Sequence, residues 1–187
     1  MAPWRVTLMT EGDISTPGVC MDGRAESDAG HPPRQLLRLE HVADHLLFEL
    51  VEVERRAHQA SSHYDDEPWR AENFTRALPG KRELSLVAVV RDRPVGFLIA
   101  SRQQHVTHIH RLATDPGQWR TGTASQLLDR FLAEVSGTVT VVCDPRNKPA
   151  LTLYERAGFR VTGSTPAGKA ALAAAGRAVP PRTSAER

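Results

Sequence analysis

The segment Val139–Cys143 (VTVVC) is the feature that most constrains the fold. It is almost wholly apolar and rich in β-branched residues, and it lies between two segments with the apolar spacing of helices, at about 121–135 and 147–157. A strand that is apolar on both faces is typical of the interior of a sheet covered by helices. The sequence therefore predicts an α/β fold with a buried central strand here.

The remaining elements alternate around this strand. Periodicity predicts helices at about 42–58 and 69–78, in addition to the two that flank the central strand. The other predicted strands are 35–39, 84–90, 95–101, 106–114 and a short one that begins at 159–161. The resulting order, β-α-α-β-β-β-α-β-α-β, indicates a mixed sheet flanked by helices.

The two ends of the chain lack such patterns. Residues 1–33 contain a long stretch rich in Gly, Pro, Ser and Asp, which predicts a mobile leader. Residues 164–187 are rich in small residues and contain Pro180-Pro181, which predicts a flexible tail with at most a short helix at 170–175. The predicted domain is therefore 34–163, and no seventh strand is evident after Val161.

Charge and composition exclude several classes of function. The 24 basic and 22 acidic side chains give a net charge of +2, without the basic block interleaved with aromatics that favours nucleic-acid binding. No apolar run reaches the ~20 residues of a membrane span, and no signal peptide is evident. Cys20 and Cys143 are far apart, and no Cys/His spacing matches a metal site. A cytoplasmic protein with no metal and no nucleic-acid or membrane partner is expected.

The segment Gln118–Leu128 (QWRTGTASQLL) has small and polar residues where a helix must begin, directly after a strand and a proline turn. A helix start exposes unpaired N–H groups and a partial positive charge, so it is suited to bind an anion. Gly122 allows close backbone approach to a phosphate. The GK[ST] of a Walker loop and the GxGxxG of a dinucleotide fold are absent. Taken alone, the segment is also compatible with an ordinary helix start.

A second segment decides between these readings. In Asn147–Phe159 (NKPALTLYERAGF), five residues match the pattern N-x-x-A-x-x-x-Y-x-x-x-G-F: Asn147, Ala150, Tyr154, Gly158 and Phe159. With this segment, residues 34–162 resemble the GNAT acetyltransferase superfamily, whose members carry acetyl from acetyl-CoA to an amine. In the family's loop pattern [RQ]-x-x-G-x-[GA], the matching residues are Gly122 and Ala124, whereas Trp119 occupies the Arg/Gln position and Arg120 follows it.

The resemblance implies roles for individual residues. The backbone of the fourth strand would bind the pantetheine arm of acetyl-CoA through Leu112, Ala113 and Thr114. The pyrophosphate would be held by the backbone N–H groups of Arg120, Thr121, Gly122, Thr123, Ala124 and Ser125. Asn147 would contact the pantetheine arm, cap its helix, or do both. Tyr154 would be the general acid that faces the CoA sulfur, with a packed helix tyrosine as the alternative.

The general base does not follow from the motifs. Val142 occupies the position of the family's fifth-strand Glu, and His108 occupies the fourth-strand position. His108 and His110 share a face by period two, and a neutral imidazole can accept a proton from an ammonium. The alternative is that both are surface residues, as the neighbouring Arg111 suggests. Glu54, with His58 and His63, is expected to be solvated.

The acceptor stays open. Residues 53–58 and 68–74 resemble Rim-type ribosomal-protein N-terminal acetyltransferases, but Val142 and the missing last strand depart from that group. A partner chain in a homodimer, or Trp4–Met9, is a candidate to complete the sheet. Small amines, aminoglycosides and protein N-termini are all candidate acceptors, and the acidic run Asp65–Glu67 favours a cationic one. A non-catalytic CoA-binding sensor and a transferase for longer acyl groups are the alternatives.

Overall fold

The computed structural model describes residues 33–61 and 67–177. Its sheet has seven strands in the order β1-β2-β3-β4-β5-β7-β6. The strands are β1 Arg34–Arg38, β2 Leu86–Val90, β3 Arg93–Gln103, β4 Val106–Thr114, β5 Thr138–Cys143, β6 Arg160–Ser164 and β7 Ala170–Ala175. β4 and β5 are parallel, and the other neighbouring pairs are antiparallel. The predicted α/β fold with a mixed sheet is confirmed.

Helices cover both faces of this sheet. They are α1 Asp44–Ala60, α2 Ala71–Thr75, α3 Lys81–Leu84, α4 Thr123–Glu134 and α5 Lys148–Arg156. Short 3-10 turns at Leu39–His41 and Pro116–Gln118 precede α1 and α4. The single turn of α3 has no counterpart in the sequence prediction, and α2 is shorter than predicted.

Two apolar layers hold the helices to the sheet. On one face, α1 and α2 supply Leu50, Val53, Ala57 and Phe74, which pack with Val87, Val89, Phe97 and Ile99. On the other face, α4 and α5 supply Leu127, Leu128, Phe131, Leu132 and Tyr154, which pack with Leu86, Leu98, Ile109, Val139 and Val141. Strand β5 lies in the interior of the sheet as predicted, but it is buried on one face only: Val139, Val141 and Cys143 are buried, whereas Val142 on the other face is exposed.

Strand β4 contains two irregularities. It pairs with β5 only from Val106 to Ile109, opposite Thr138–Val141, although it continues to Thr114. The two strands therefore part beyond Ile109, and we call this opening the β4–β5 wedge. In the pairing with β3, Ile99 lies opposite Arg111 and Ala100 lies opposite Ile109, so His110 is the extra residue of a β-bulge.

The C-terminal prediction was wrong in one respect. Ala170–Ala175 form strand β7, neither a short helix nor part of a flexible tail, and β7 lies between β5 and β6. Alanine favours helices, but pairing along both edges and the burial of Leu172 override this weak preference. The chain's own β7 fills the place for which a partner chain or Trp4–Met9 was invoked. Trp4–Met9, the rest of the predicted leader up to residue 32 and residues 178–187 lie outside the described residues.

Candidate active site

A cleft of about 620 Å³ opens beside the β4–β5 wedge. The second half of β4, the start of α4, helix α5 and the end of α1 form its walls. Ten residues singled out from the sequence line it: Leu112, Ala113, Thr114, Arg120, Gly122, Thr123, Ala124, Ser125, Asn147 and Tyr154. The structure thus brings together two sequence segments that are separated by β5.

The turn into α4, residues Gln118–Ser125, has an unusual backbone, and we call it the α4 turn. Arg120 and Gly122 both have left-handed conformations, with φ of 63° and 81°. Gly122 is the N-cap of α4, and no side chain caps this end of the helix. A Cβ atom on Gly122 would meet nothing within 4 Å, so the backbone conformation rather than crowding favours glycine here. The first N–H groups of α4 are therefore available beside the cleft.

Thr121 is the one predicted cofactor-binding residue that does not line the cleft. Its hydroxyl lies 2.8 Å from the Gln118 carbonyl oxygen, to which it donates, and 2.9 Å from the Thr123 hydroxyl. Thr123 is itself only 1% exposed. These two hydroxyls stabilise the α4 turn from within, so the Thr121 hydroxyl is engaged inside the turn rather than in the cleft.

Helix α5 places Asn147 and Tyr154 on the same wall of the cleft. The Asn147 side-chain oxygen accepts a hydrogen bond from the Ala150 N–H at 3.1 Å, so Asn147 is the N-cap of α5. Tyr154 is 6% exposed, and its ring packs edge-on against Phe159 with centroids 5.4 Å apart. Packing therefore fixes the direction of the Tyr154 side chain.

Trp119 contributes a contact that the sequence motifs did not indicate. Its indole N–H donates to the Thr114 carbonyl oxygen at 3.1 Å, and the ring lines the cleft while remaining 44% exposed. The hydrogen bond ties the α4 turn to the end of β4. The residue that departs from the family's Arg/Gln pattern thus has a positioning contact in this chain.

His108 and His110 lie on the opposite face of β4, toward α1, and neither lines the cleft. Their rings are 5.0 Å apart. A nitrogen of His110 is 2.7 Å from the Ser101 hydroxyl, and a nitrogen of His108 is 2.9 Å from the Thr140 hydroxyl. Both rings are half-buried, which departs from the surface alternative.

Burial keeps these two imidazoles neutral. It lowers the pKa of His110 to about 4, with smaller contributions from the neighbouring His108 and from the positive charge of Lys81. Burial also lowers the pKa of His108 below its usual value. Both rings are therefore unprotonated at neutral pH, and the same burial makes each a weaker base than a free imidazole.

A buried ion pair lies beside the histidines. Glu54 of α1 is fully buried and accepts hydrogen bonds from two nitrogens of the Arg111 guanidinium, one of them at 3.2 Å. The Trp69 backbone N–H is 3.4 Å from the same carboxylate, and the guanidinium carbon is 5.8 Å from the centre of the Trp69 ring. The expectations that Glu54 is solvated and that Arg111 marks an exposed strand were wrong.

The structure also locates some of the other residues that the sequence analysis considered. Val142 pairs with Ala171 and is 39% exposed, so an apolar side chain occupies the carboxylate position of the fifth strand. His58 is half-buried, whereas His63, Asp65 and Asp66 lie outside the described residues. Across residues 33–61 and 67–177, no group of three His, Cys, Asp or Glu residues could hold a metal ion. None of the helices described is long and apolar enough to cross a membrane.

Comparisons with known proteins agree with this geometry. The family model described as "Acetyltransferase (GNAT) family" matches residues 47–159, more than half of the chain. The peptidyl-lysine N-acetyltransferase YjaB of Escherichia coli is 28% identical over 117 residues, which are 62% of this chain and 76% of YjaB.

Solved structures share the fold. The ribosomal-protein-S18-alanine N-acetyltransferase of Escherichia coli superposes with a TM-score of 0.63 at 19% identity, over 80% of this chain and 98% of that one. The PaiA N-acetyltransferase of Thermoplasma acidophilum, solved in complex with coenzyme A, gives a TM-score of 0.60 at 15% identity, over 76% and 99% of the two chains. On the strength of the family match, the chain belongs to the acetyltransferase (GNAT) family and is an N-acetyltransferase.

Proposed function

We propose that this protein transfers the acetyl group of acetyl-CoA to a primary amine in a single direct step. The observation that carries the proposal is the cleft at the β4–β5 wedge. There an uncapped helix start faces the same space as the second half of β4, which pairs with β3 on one edge and has no pairing with β5 on the other. This combination suits a ligand with a pyrophosphate at one end and an amide-rich arm at the other.

The residues of the cleft divide the binding of acetyl-CoA between them. The N–H groups of Arg120 and of Gly122–Ser125 would hold the pyrophosphate at the positive end of α4, whereas the Thr121 N–H already donates to the Gln118 carbonyl oxygen at 3.3 Å. The backbone of Leu112, Ala113 and Thr114 extends past the point where β5 pairs with β4, so its polar groups can bond the pantetheine arm. Asn147 lines the same wall and can bond the arm in addition to capping α5.

The chemistry requires two proton transfers. The acceptor amine must lose a proton as its nitrogen forms a bond to the acetyl carbon, and the sulfur of CoA must gain one as the carbon–sulfur bond breaks. Tyr154 lines the cleft and has a hydroxyl that can donate the second proton. His108 and His110 are neutral but do not line the cleft, so they are candidates to accept the first through an intervening water.

The proposed class of acceptor rests on the names of the similar proteins and not on the geometry of the cleft. Peptidyl lysine is the acceptor named for YjaB, and an alanine of ribosomal protein S18 is the acceptor named for the Escherichia coli structural neighbour. We propose a primary amine of this general kind, with small-molecule amines and aminoglycosides as further candidates. A cytoplasmic location, where acetyl-CoA is made and used, is proposed with it.

The proposal is tested by measuring thiol release from acetyl-CoA in the presence of lysine peptides, N-terminal peptides, polyamines and an aminoglycoside. Amine-dependent release that is lost with an acetylated peptide supports the proposal. Binding of acetyl-CoA without release, for any amine class, would favour the alternative of a non-catalytic CoA-binding module. The apolar Val142 at a frequent carboxylate position is the observation that favours this alternative.

A further inference from the structure

We infer that Arg34, in the first strand of the sheet, is a positioning residue that holds the α4 turn in the shape that binds the pyrophosphate of acetyl-CoA. This inference rests on the proposed function of the cleft. Arg34 lies outside both motif segments and does not line the cleft, so it would act through the turn rather than on the ligand.

The contacts of Arg34 are long-range and specific. One terminal nitrogen donates to the Gln126 side-chain oxygen at 2.7 Å. The other donates to the Thr121 hydroxyl at 3.1 Å and lies 3.4 Å from the Thr121 carbonyl oxygen. A planar guanidinium therefore joins β1 to two residues that are 87 and 92 positions away in the sequence.

These two partners flank Gly122, the residue on which the turn depends. Thr121 lies between the two left-handed residues, Arg120 and Gly122. Gln126 donates its backbone N–H to the Gly122 carbonyl oxygen at 2.9 Å, at the start of α4. Arg120 is not a glycine, so its left-handed backbone conformation is energetically unfavourable. The turn therefore needs contacts from outside to keep this conformation. The bonds from Arg34 supply such contacts on both sides of Gly122.

The charge of Arg34 points to the same role. The acceptors described above are neutral, so none of them neutralises the guanidinium. In addition, its third nitrogen, Nε, is buried and has no hydrogen-bond partner among the described residues. A buried donor without a partner is uncommon and calls for an explanation. A fixed positive charge behind the start of α4 adds to the helix dipole and favours a bound pyrophosphate in front of it.

The test compares two acyl donors that differ in their phosphates. Acetyl-CoA carries the pyrophosphate, whereas S-acetylpantetheine has the same thioester and arm without any phosphate. We expect Arg34→Ala to raise the KM for acetyl-CoA and the Kd for CoA about tenfold, with kcat nearly unchanged. The kcat/KM for S-acetylpantetheine should stay within about twofold, and Arg34→Lys should restore part of the loss because it keeps the charge.

Two further variants make the result interpretable. Arg38→Ala removes another arginine of β1, one that pairs with Glu134 at the far end of α4 at 3.0 Å, and it should leave both donors unaffected. Gln126→Ala removes one partner of Arg34 and should give a smaller rise in KM, with acetyl-CoA only. This variant provides the test if Arg34→Ala does not fold.

Equal losses with both donors in folded Arg34→Ala, or no loss with either, would overturn the inference. Failure of the unaltered protein to bind CoA at all would instead contradict the proposed function, and the inference would fall with it.

Discussion

The two sides of strand β4 are built from the sequence in different ways. On the cleft side, most lining residues come from two short segments, 112–125 and 147–156, and their backbone conformation forms much of the wall. On the side toward α1, the polar groups meet across elements: Glu54 with Arg111, His110 with Ser101, and His108 with Thr140. The cleft side is therefore determined by local backbone conformation and residue spacing, and the side toward α1 is determined by contacts between residues far apart in the sequence.

This difference separates two kinds of functional requirement. A phosphate group is recognised by backbone N–H groups at a helix start, which almost any sequence with the right turn can present. The proposed proton acceptors, His108 and His110, are instead side chains held by half-buried contacts with Thr140 and Ser101. We therefore expect changes on the α1 side to affect stability most, and changes in the cleft to affect binding and turnover.

Glu54→Ala should have the largest effect on the free energy of unfolding. It leaves the Arg111 guanidinium, whose side chain is 10% exposed, without its carboxylate, which should cost about 3–5 kcal/mol. Urea unfolding measures this loss. The control is Glu52→Ala, which removes an exposed carboxylate two residues earlier on α1 that pairs with Arg55, and it should cost much less, because solvent screens an exposed ion pair. Similar losses of unfolding free energy for the two variants would contradict the prediction that the buried Glu54–Arg111 pair matters more for stability than an exposed pair.

Tyr154→Phe should have the largest effect on turnover without disturbing the cleft. Loss of the hydroxyl removes the proton donor for the leaving sulfur, so kcat should fall about 100-fold, while the Kd for CoA changes little. Steady-state kinetics and calorimetric titration with CoA measure the two quantities. An unchanged kcat would mean that Tyr154 has only a packing role against Phe159.

Gly122→Val should weaken CoA binding about tenfold or more, because valine disfavours the left-handed conformation at φ 81° and shifts the N–H groups of the α4 turn. Gly137→Val provides a matched control. Gly137 has a φ of 78° and, like Gly122, open space around a Cβ atom, but it does not line the cleft. The two variants should lose similar stability, and only Gly122→Val should lose affinity. Equal affinities of the Gly122→Val and Gly137→Val variants for CoA would contradict the proposal that the α4 turn binds the pyrophosphate.

The pH dependence of stability should show a smaller effect from His110. Its pKa is lowered to about 4 in the folded state, so between about pH 4 and 6.5 the unfolded chain binds the proton more readily. Stability should therefore decrease as the pH falls through this window. For this half-buried ring we expect about 1–2 kcal/mol.

Urea unfolding at several pH values measures this dependence. His110→Gln should flatten the curve between pH 4 and 6.5, whereas His41→Gln, which removes an exposed histidine, should not. An unaltered slope in His110→Gln would show that burial does not keep this imidazole neutral.

The sequence predicts the cleft side of β4 better than the side toward α1. The spacing of Asn147 and Tyr154 on one helix and the glycine of the α4 turn are local features, so the sequence alone indicates these residues of the cleft. Period two also placed His108 and His110 on one face. The bulge at His110, which brings Arg111 to the same face, depends on the register with β3 and leaves no local signal.

The remaining errors have a common physical cause. Glu54 and Arg111 are 57 positions apart, and charged residues are seldom fully buried unless they are paired, so exposure was the reasonable expectation for each alone. Arg34 has no local sequence signal for the same reason, since its partners lie 92 and 87 residues away. The alanine-rich β7 has helical propensity and becomes a strand only because β5 and β6 both pair with it.

The account depends most on acetyl-CoA binding at the start of α4 beside the β4–β5 wedge. A ¹H–¹⁵N NMR titration with CoA tests this directly, because it reports on each backbone N–H. We predict saturable shifts that are largest at Gly122–Ser125 and Leu112–Thr114, with the Gly122–Ser125 shifts absent when pantetheine replaces CoA. Saturable binding that leaves these N–H groups unchanged, or no binding to the folded chain, would contradict the account.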